Sequence, residues 1–170
     1  MRSSTLPPPT DVARERRAWR IRTGTLLVVA TFVLAGLVGC FGVSSGEVTA
    51  RSPGGMAITV TYPQRTRPAL ASPFSVEITR PDGFDAEVEV SINTDYVESF
   101  DENGLNPDPD SATTDGETTT WTFEAPESDT FTVWLDTRVE PGVQWKRAGI
   151  VRVTVGDDEA EARFTSWIFP

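Results

Sequence analysis

The sequence has 170 residues, 38% of them apolar, with 15 basic and 25 acidic side chains and a net charge of −10. That length suffices for one domain of ordinary size and an appendage. The absence of histidine and the single cysteine exclude a histidine-ligated zinc or haem site, a Ser-His-Asp or Cys-His nucleophile and an internal disulfide bond.

The basic residues are concentrated at the N-terminus. Residues 1–22 contain six arginines and two acids, a net charge of +4, whereas the rest of the chain carries −14. We predict that residues 1–22 are a basic cytoplasmic tail, disordered at first and helical around Asp11–Arg22. A basic head and an acidic body indicate that the two parts work in different places.

An uncharged apolar segment follows the tail. Thr23–Val43 has 21 residues, eleven of them Leu, Val or Phe. A helix of that length covers about 30 Å, the hydrocarbon thickness of a bilayer. Residues 23–43 are therefore predicted to be a single transmembrane helix. The positive-inside rule places the preceding arginines in the cytoplasm and residues 44–170 on the extracytoplasmic side of the cell membrane.

Cys40 offers an alternative anchor. The sequence Leu37-Val38-Gly39-Cys40 resembles a bacterial lipoprotein signal, in which Cys40 would be lipidated and become the new N-terminus. The long basic region and the continuation of the apolar segment through Val43 favour the spanning helix. Either anchor would hold the acidic body at the outer face of the membrane.

Residues 44–54 are small and polar, and they predict a linker or a weak first strand. Beyond them, apolar and polar residues alternate, as in half-buried strands, and Pro and Gly separate the runs. The predicted inward-facing rows are Met56–Tyr62, Phe74–Ile78, Val88–Ile92, Trp121–Phe123, Phe131–Leu135, Val151–Val155 and Ala160–Phe164.

The fold class predicted for residues 55–170 is all-β. Seven or eight short strands favour an antiparallel β-sandwich of the immunoglobulin type, without its paired cysteines. We expect one helical turn within Asp95–Phe100. A hairpin is expected around Gly156-Asp157-Asp158, between strands Gln144–Val155 and Glu159–Phe169.

The order of basic tail, single span and sandwich, together with three stretches of sequence, carries a resemblance. The stretches are YPQRTRPALASPFSVEITRPDGFD, FDENGLNPDPDSATTDGE and RVEPGVQW. With these features the chain resembles uncharacterised single-pass membrane proteins of actinobacteria that have an extracytoplasmic immunoglobulin-like domain. The resemblance covers most of residues 20–170 and implies architecture and location, but no activity.

An acidic segment is the first candidate site. Residues 81–137 contain sixteen acids and no base, and the acids are densest within 95–117. Hard cations such as Ca²⁺ take clustered oxygen ligands, so Asp101, Asn103, Asp108 and Asp110 are candidate metal ligands. The spacing is not that of an EF-hand, and the simpler interpretation is a solvated acidic loop without any cofactor.

Tryptophans are the second candidate. Trp134 falls on the polar side of its predicted strand, Trp145 follows a Pro-Gly turn, and Trp167 lies near the end of the sequence. Exposed aromatic side chains often bind protein partners or stack on sugars, and Trp134 and Trp145 are the two predicted to be partner-binding.

These observations favour a non-catalytic interaction module that binds a membrane-protein or cell-envelope partner. The alternative is a structural or cation-responsive envelope lipoprotein, anchored through Cys40, in which the acidic loop 95–117 is the working part. Nucleic acid is not an expected partner because the acidic body would repel phosphate. We predict that the tail arginines contact lipid headgroups of the bilayer.

Overall fold

The computed structural model describes residues 12–37, 39 and 42–170, which form two compact units divided between Gly42 and Val43. The first unit contains helix α1, Val12–Leu37, and within it Arg14–Leu37 is long and apolar enough to span a membrane. Thr25 and Thr31 donate hydrogen bonds to carbonyl oxygens four residues earlier, at 3.0 and 2.8 Å. Their hydroxyl groups are thus satisfied within the helix, as an apolar surrounding requires.

The helix ends six residues before the predicted end of the span. Gly39 has φ +76°, and its N–H donates to the Gly36 carbonyl at 3.1 Å. A left-handed glycine just after the last turn is a common helix stop, because glycine adopts this conformation without steric cost. Cys40, the candidate lipidation site, lies outside the described residues.

The second unit consists of ten strands and one short helix. Their bounds are β1 Ser44–Arg51, β2 Ala57–Thr66, β3 Phe74–Thr79, β4 Val88–Asn93, α2 Thr94–Val97, β5 Phe100–Asn106, β6 Ser111–Thr114, β7 Thr118–Phe123, β8 Thr130–Val139, β9 Trp145–Val155 and β10 Asp158–Ile168.

The predicted count of seven or eight strands is therefore wrong. The segment expected to be a linker or a weak strand forms β1, and the segment expected to be an acidic loop contains β5 and β6. No residue of β1 is fully buried, and all four residues of β6 are exposed. These strands therefore lack the row of large apolar residues by which a strand is recognised in a sequence.

The strands form two layers. One runs β1-β2-β3-β8-β5 and the other β10-β9-β4-β7-β6, with antiparallel pairing throughout. A short parallel pairing joins the layers, where Arg65 and Thr66 of β2 lie opposite Trp167 and Ile168 of β10. The layers face each other as a sandwich, because Phe123 of β7 packs against Phe131 of β8 with ring centroids 5.3 Å apart.

The predicted inward rows form the core. Met56, Ile58 and Val60 are completely buried, and their counterparts on β3, β4 and β9 are at most 4% exposed. Of the predicted set, only Phe131 is half-buried, and it packs against the core from its margin. The prediction of a mostly β domain is confirmed, and each of the seven predicted rows contributes to the core.

The sandwich has two ends, an entry end and a far end, which carry different loops. At the entry end, β1 begins at Ser44, β9 begins at Trp145, and β2 and β10 finish. The loops 67–73 and 140–144 also lie there. The far end carries the loops 52–56, 80–87 and 124–129 and the turn at Gly156-Asp157.

Candidate interaction surfaces

Trp134 is exposed on a strand inside its layer. It lies on β8, between Ser75 of β3 and Asn106 of β5, and 53% of its surface is accessible. Its neighbours along the outer face of the strand, Thr132 and Asp136, are also polar. The pairing on both sides fixes the backbone, so a large aromatic ring stands on a rigid polar surface.

Trp145 lies in the other layer. It is the first residue of β9, has φ +73° and is 63% exposed. The structure therefore does not place Trp134 and Trp145 on one face, and they do not make a single patch.

Other exposed aromatic residues do lie at the same end as Trp145. Trp167 of β10 and Phe169 are 43% and 44% exposed, and their rings stack with centroids 6.4 Å apart. Neither residue of this pair is among the partner-binding residues predicted from the sequence. The alternation along β10 could have indicated that Trp167 is exposed, because it lies between the inward-facing residues Ser166 and Ile168.

The four candidate metal ligands are spread over two layers. Asp101 lies on β5 opposite Arg138 of β8, and Asn103 lies at a bulge of β5. Asp108 is exposed in the connection that crosses to the other layer, where Asp110 precedes β6.

Asp110 has a structural use. Its N–H donates to the Thr122 carbonyl at 2.9 Å, and its carboxylate accepts the Glu124 N–H at 2.6 Å. Asp110 thus ties β6 to the end of β7. Within residues 12–37, 39 and 42–170, no three His, Cys, Asp or Glu side chains form a group that could hold a metal ion.

The interior of the sandwich offers little space. An apolar cavity of about 20 Å³ is bounded by Phe74, Ile92, Tyr96 and Leu135, among others. That volume is close to what a single water molecule needs. The Tyr96 hydroxyl is hydrogen-bonded to the Ser166 hydroxyl at 2.8 Å, and burial raises the pKa of Tyr96.

A shallow polar groove opens at the entry end, between α2 and the start of β9. Its lining includes Asp95, Glu98, Lys146 and Arg147. Arg147 Nε is buried and has no hydrogen-bond partner, and among the described residues it is alone in this. An unpaired buried donor is costly, so this guanidinium would gain from an acceptor that the chain itself does not supply.

No protein-family model matches the chain, and no curated protein matches it. Several solved structures are similar. A type I cohesin–dockerin complex from Clostridium thermocellum is 9% identical, with a TM-score of 0.40, covering 62% of this chain and 89% of that one.

Two further structures are at the same level of similarity. The third cohesin of ScaC from Acetivibrio cellulolyticus, in complex with the ScaB dockerin, is 10% identical, with a TM-score of 0.42, over 62% of this chain and 94% of that one. The bacterial hydrophobin BslA is 12% identical, with a TM-score of 0.43, over 66% and 97%. At TM-scores below 0.5, these likenesses assign neither a family nor a partner to this chain.

Proposed function

We propose that this chain is a membrane-anchored interaction module without catalytic activity, whose sandwich binds a membrane-protein or cell-envelope partner outside the cytoplasm. Three features support the proposal. Helix α1 is long and apolar enough to cross a bilayer. The six arginines before its apolar part favour an N-terminus in the cytoplasm. The chain also resembles single-pass membrane proteins of actinobacteria in its order of parts.

We also assign the sandwich to the immunoglobulin type. In a constant-type domain, strands A, B, E and D form one sheet and C, F and G the other. The order β2-β3-β8-β5 corresponds to A-B-E-D, and the order β4-β9-β10 corresponds to C-F-G. Strand β1 and the hairpin β6–β7 are then additions at the edges.

Exposed Trp134 is the single observation that carries the binding role. Tryptophan is enriched among the residues that dominate the energy of protein interfaces. Exposing so large an aromatic surface to water is unfavourable, whereas covering it with a partner is favourable. Because β8 is paired on both sides, the ring is held in place and little conformational entropy is lost on binding.

The test is recovery of the partner with the full chain. We expect Trp134→Ser to weaken partner binding about 30-fold, which corresponds to about 2 kcal/mol for the loss of a dominant interface residue. The chain and its variants would be cross-linked in their native membrane and purified, and the partner recovered per chain would be quantified.

A matched control is Trp134→Phe, which keeps an aromatic ring at the same exposed position of β8. Most of the partner recovery should be retained in this variant. Equal recovery with wild type and Trp134→Ser would contradict the binding role of Trp134.

The topology is tested separately. A reporter enzyme that is active only outside the cytoplasm, fused after residue 170, should be active, because the arginine-rich tail is retained inside. The same reporter inserted after Arg22 should be inactive. Activity in the second fusion and not in the first would reverse the proposed orientation.

The alternative to the spanning helix is an envelope lipoprotein that is anchored through a lipidated Cys40 and responds to cations through the acidic segment 95–117. The described carboxylates give it no support, because Asp110 is engaged with the backbone and Asp101 faces Arg138. Fatty-acid labelling that is lost in Cys40→Ala would establish the lipid anchor instead of the span.

A further inference from the structure

Exposed apolar side chains are concentrated at the entry end of the sandwich. Of the six large apolar residues that are exposed within residues 43–170, Trp134 alone lies elsewhere. The other five are Val43, Leu70, Trp145, Trp167 and Phe169.

The strand register brings these residues together with cations. Ser44, where β1 begins, lies opposite Arg65 and accepts a hydrogen bond from Arg65 Nε at 3.0 Å. Arg65 lies beside Trp167 in the parallel pairing, and Trp167 lies opposite Lys146. We call the surface formed by Arg65, Trp145, Lys146, Arg147, Trp167 and Phe169 the collar.

Two cations of the collar lack the ion pairs that several other bases of the domain form. Arg80 is paired with Asp85, and Arg152 and Arg163 are paired with Glu161 at 2.9 and 2.7 Å. Lys146 and Arg147 form no ion pair among the described residues, although Asp95 and Glu98 line the same groove. Because Arg147 Nε also lacks an acceptor, this guanidinium would gain from an anionic group supplied from outside the domain.

The far end of the sandwich is more acidic than the entry end. The far-end loops 80–87 and 124–129 hold six acids and one base, Arg80. The entry end also holds acids, among them Asp95, Glu98 and Glu140, but five bases lie near them, Arg65, Arg67, Arg138, Lys146 and Arg147. An anionic surface would therefore repel the far end more strongly than the collar, and this favours an orientation with the collar towards that surface.

The length of chain between the two units limits where the collar can be. Only seven peptide units separate the end of α1 at Leu37 from the start of β1 at Ser44. Fully extended, they reach about 25 Å at most. If α1 crosses the bilayer, Ser44 is within that distance of the end of the span, and Arg65 of the collar lies opposite Ser44.

We propose that the collar docks on the outer surface of the bilayer. Its aromatic rings enter the headgroup region, where tryptophan is favoured, and its cations contact the phosphates of anionic phospholipids. The proposal rests on the membrane anchor of the proposed function. It deepens that function, because docking would hold the far end away from the membrane and fix the direction in which Trp134 faces.

Quenching of tryptophan fluorescence by lipids tests the contact. The full chain, with Trp19→Phe throughout to remove the tryptophan of the tail helix, is reconstituted in vesicles. They contain phosphatidylcholine, phosphatidylglycerol and a lipid with a nitroxide on its headgroup. We expect the nitroxide lipid to quench part of the tryptophan emission. The quenched fraction should fall at least twofold when Trp145→Ser and Trp167→Ser are added.

Trp134→Ser is the matched control, since it removes an exposed tryptophan from outside the collar. Its quenched fraction should equal or exceed that of the parent chain. Lys146→Gln with Arg147→Gln is a second variant that leaves every tryptophan in place. It should reduce quenching in anionic vesicles and weaken its dependence on salt, because exposed charges are screened over about 10 Å at 0.1 M salt.

The outcomes separate this proposal from the anchor on which it rests. A chain that does not float with the vesicles would overturn the anchor. A chain that floats but shows no quenching, or shows equal quenching with and without Trp145 and Trp167, would overturn docking of the collar while leaving the anchor intact.

Discussion

Trp121→Ala is expected to lower the free energy of unfolding of the sandwich by about 3–5 kcal/mol, the usual cost of truncating a large buried aromatic residue. Trp121 lies on β7 between Val90 of β4 and Ala112 of β6, and only 3% of its surface is exposed. Removing the indole would leave a cavity that the paired strands cannot close. Denaturant unfolding of residues 43–170, followed by circular dichroism, measures the change.

Trp134→Ala is the matched comparison, because it removes the same side chain from the outer face. Its cost is expected to stay within about 0.5 kcal/mol, as for most surface substitutions. Equal destabilisation by the two substitutions would contradict the assignment of Trp134 to a free surface, and the proposed binding role would lose its basis.

The strands that build the core could be predicted from sequence because each carries large apolar residues at every second position. The row Val151, Val153 and Val155 is one example, and each of these residues is buried. The edges of the sandwich could not be predicted in the same way. On β6 every residue is exposed, so its sequence shows no alternation of apolar and polar residues. The strand is held instead by backbone pairing with β7, which begins with the hydrogen bond from the Asp110 N–H to the Thr122 carbonyl.

The candidate surfaces depended on pairings between distant parts of the chain. The exposure of Trp134 could be predicted from its polar-side position, and this prediction is confirmed. The collar could not be predicted. Arg65 and Trp167 are about a hundred residues apart in sequence and meet only through the parallel pairing of β2 and β10. The alternation within a strand contains no information about which strand will be its neighbour.

The core also depends on a residue without a side chain. Gly149 of β9 lies opposite Phe164 of β10, and a Cβ atom at position 149 would overlap the ring of Phe164. That ring has little freedom to move aside. Its centroid is 4.5 Å from Tyr62, 5.1 Å from Tyr96 and 5.8 Å from Phe74.

Gly149→Ala is therefore expected to destabilise the sandwich by about 1–3 kcal/mol, the range for overpacking a well-packed core. Gly104→Ala, at a strand glycine with nothing within 4 Å of the added atom, is the control and should be close to neutral. Phe164→Leu makes room for the added methyl group, so the double variant should lose less stability than the sum of the two single variants. Additive losses in this double-mutant cycle would mean that Gly149 and Phe164 are not coupled through their packing.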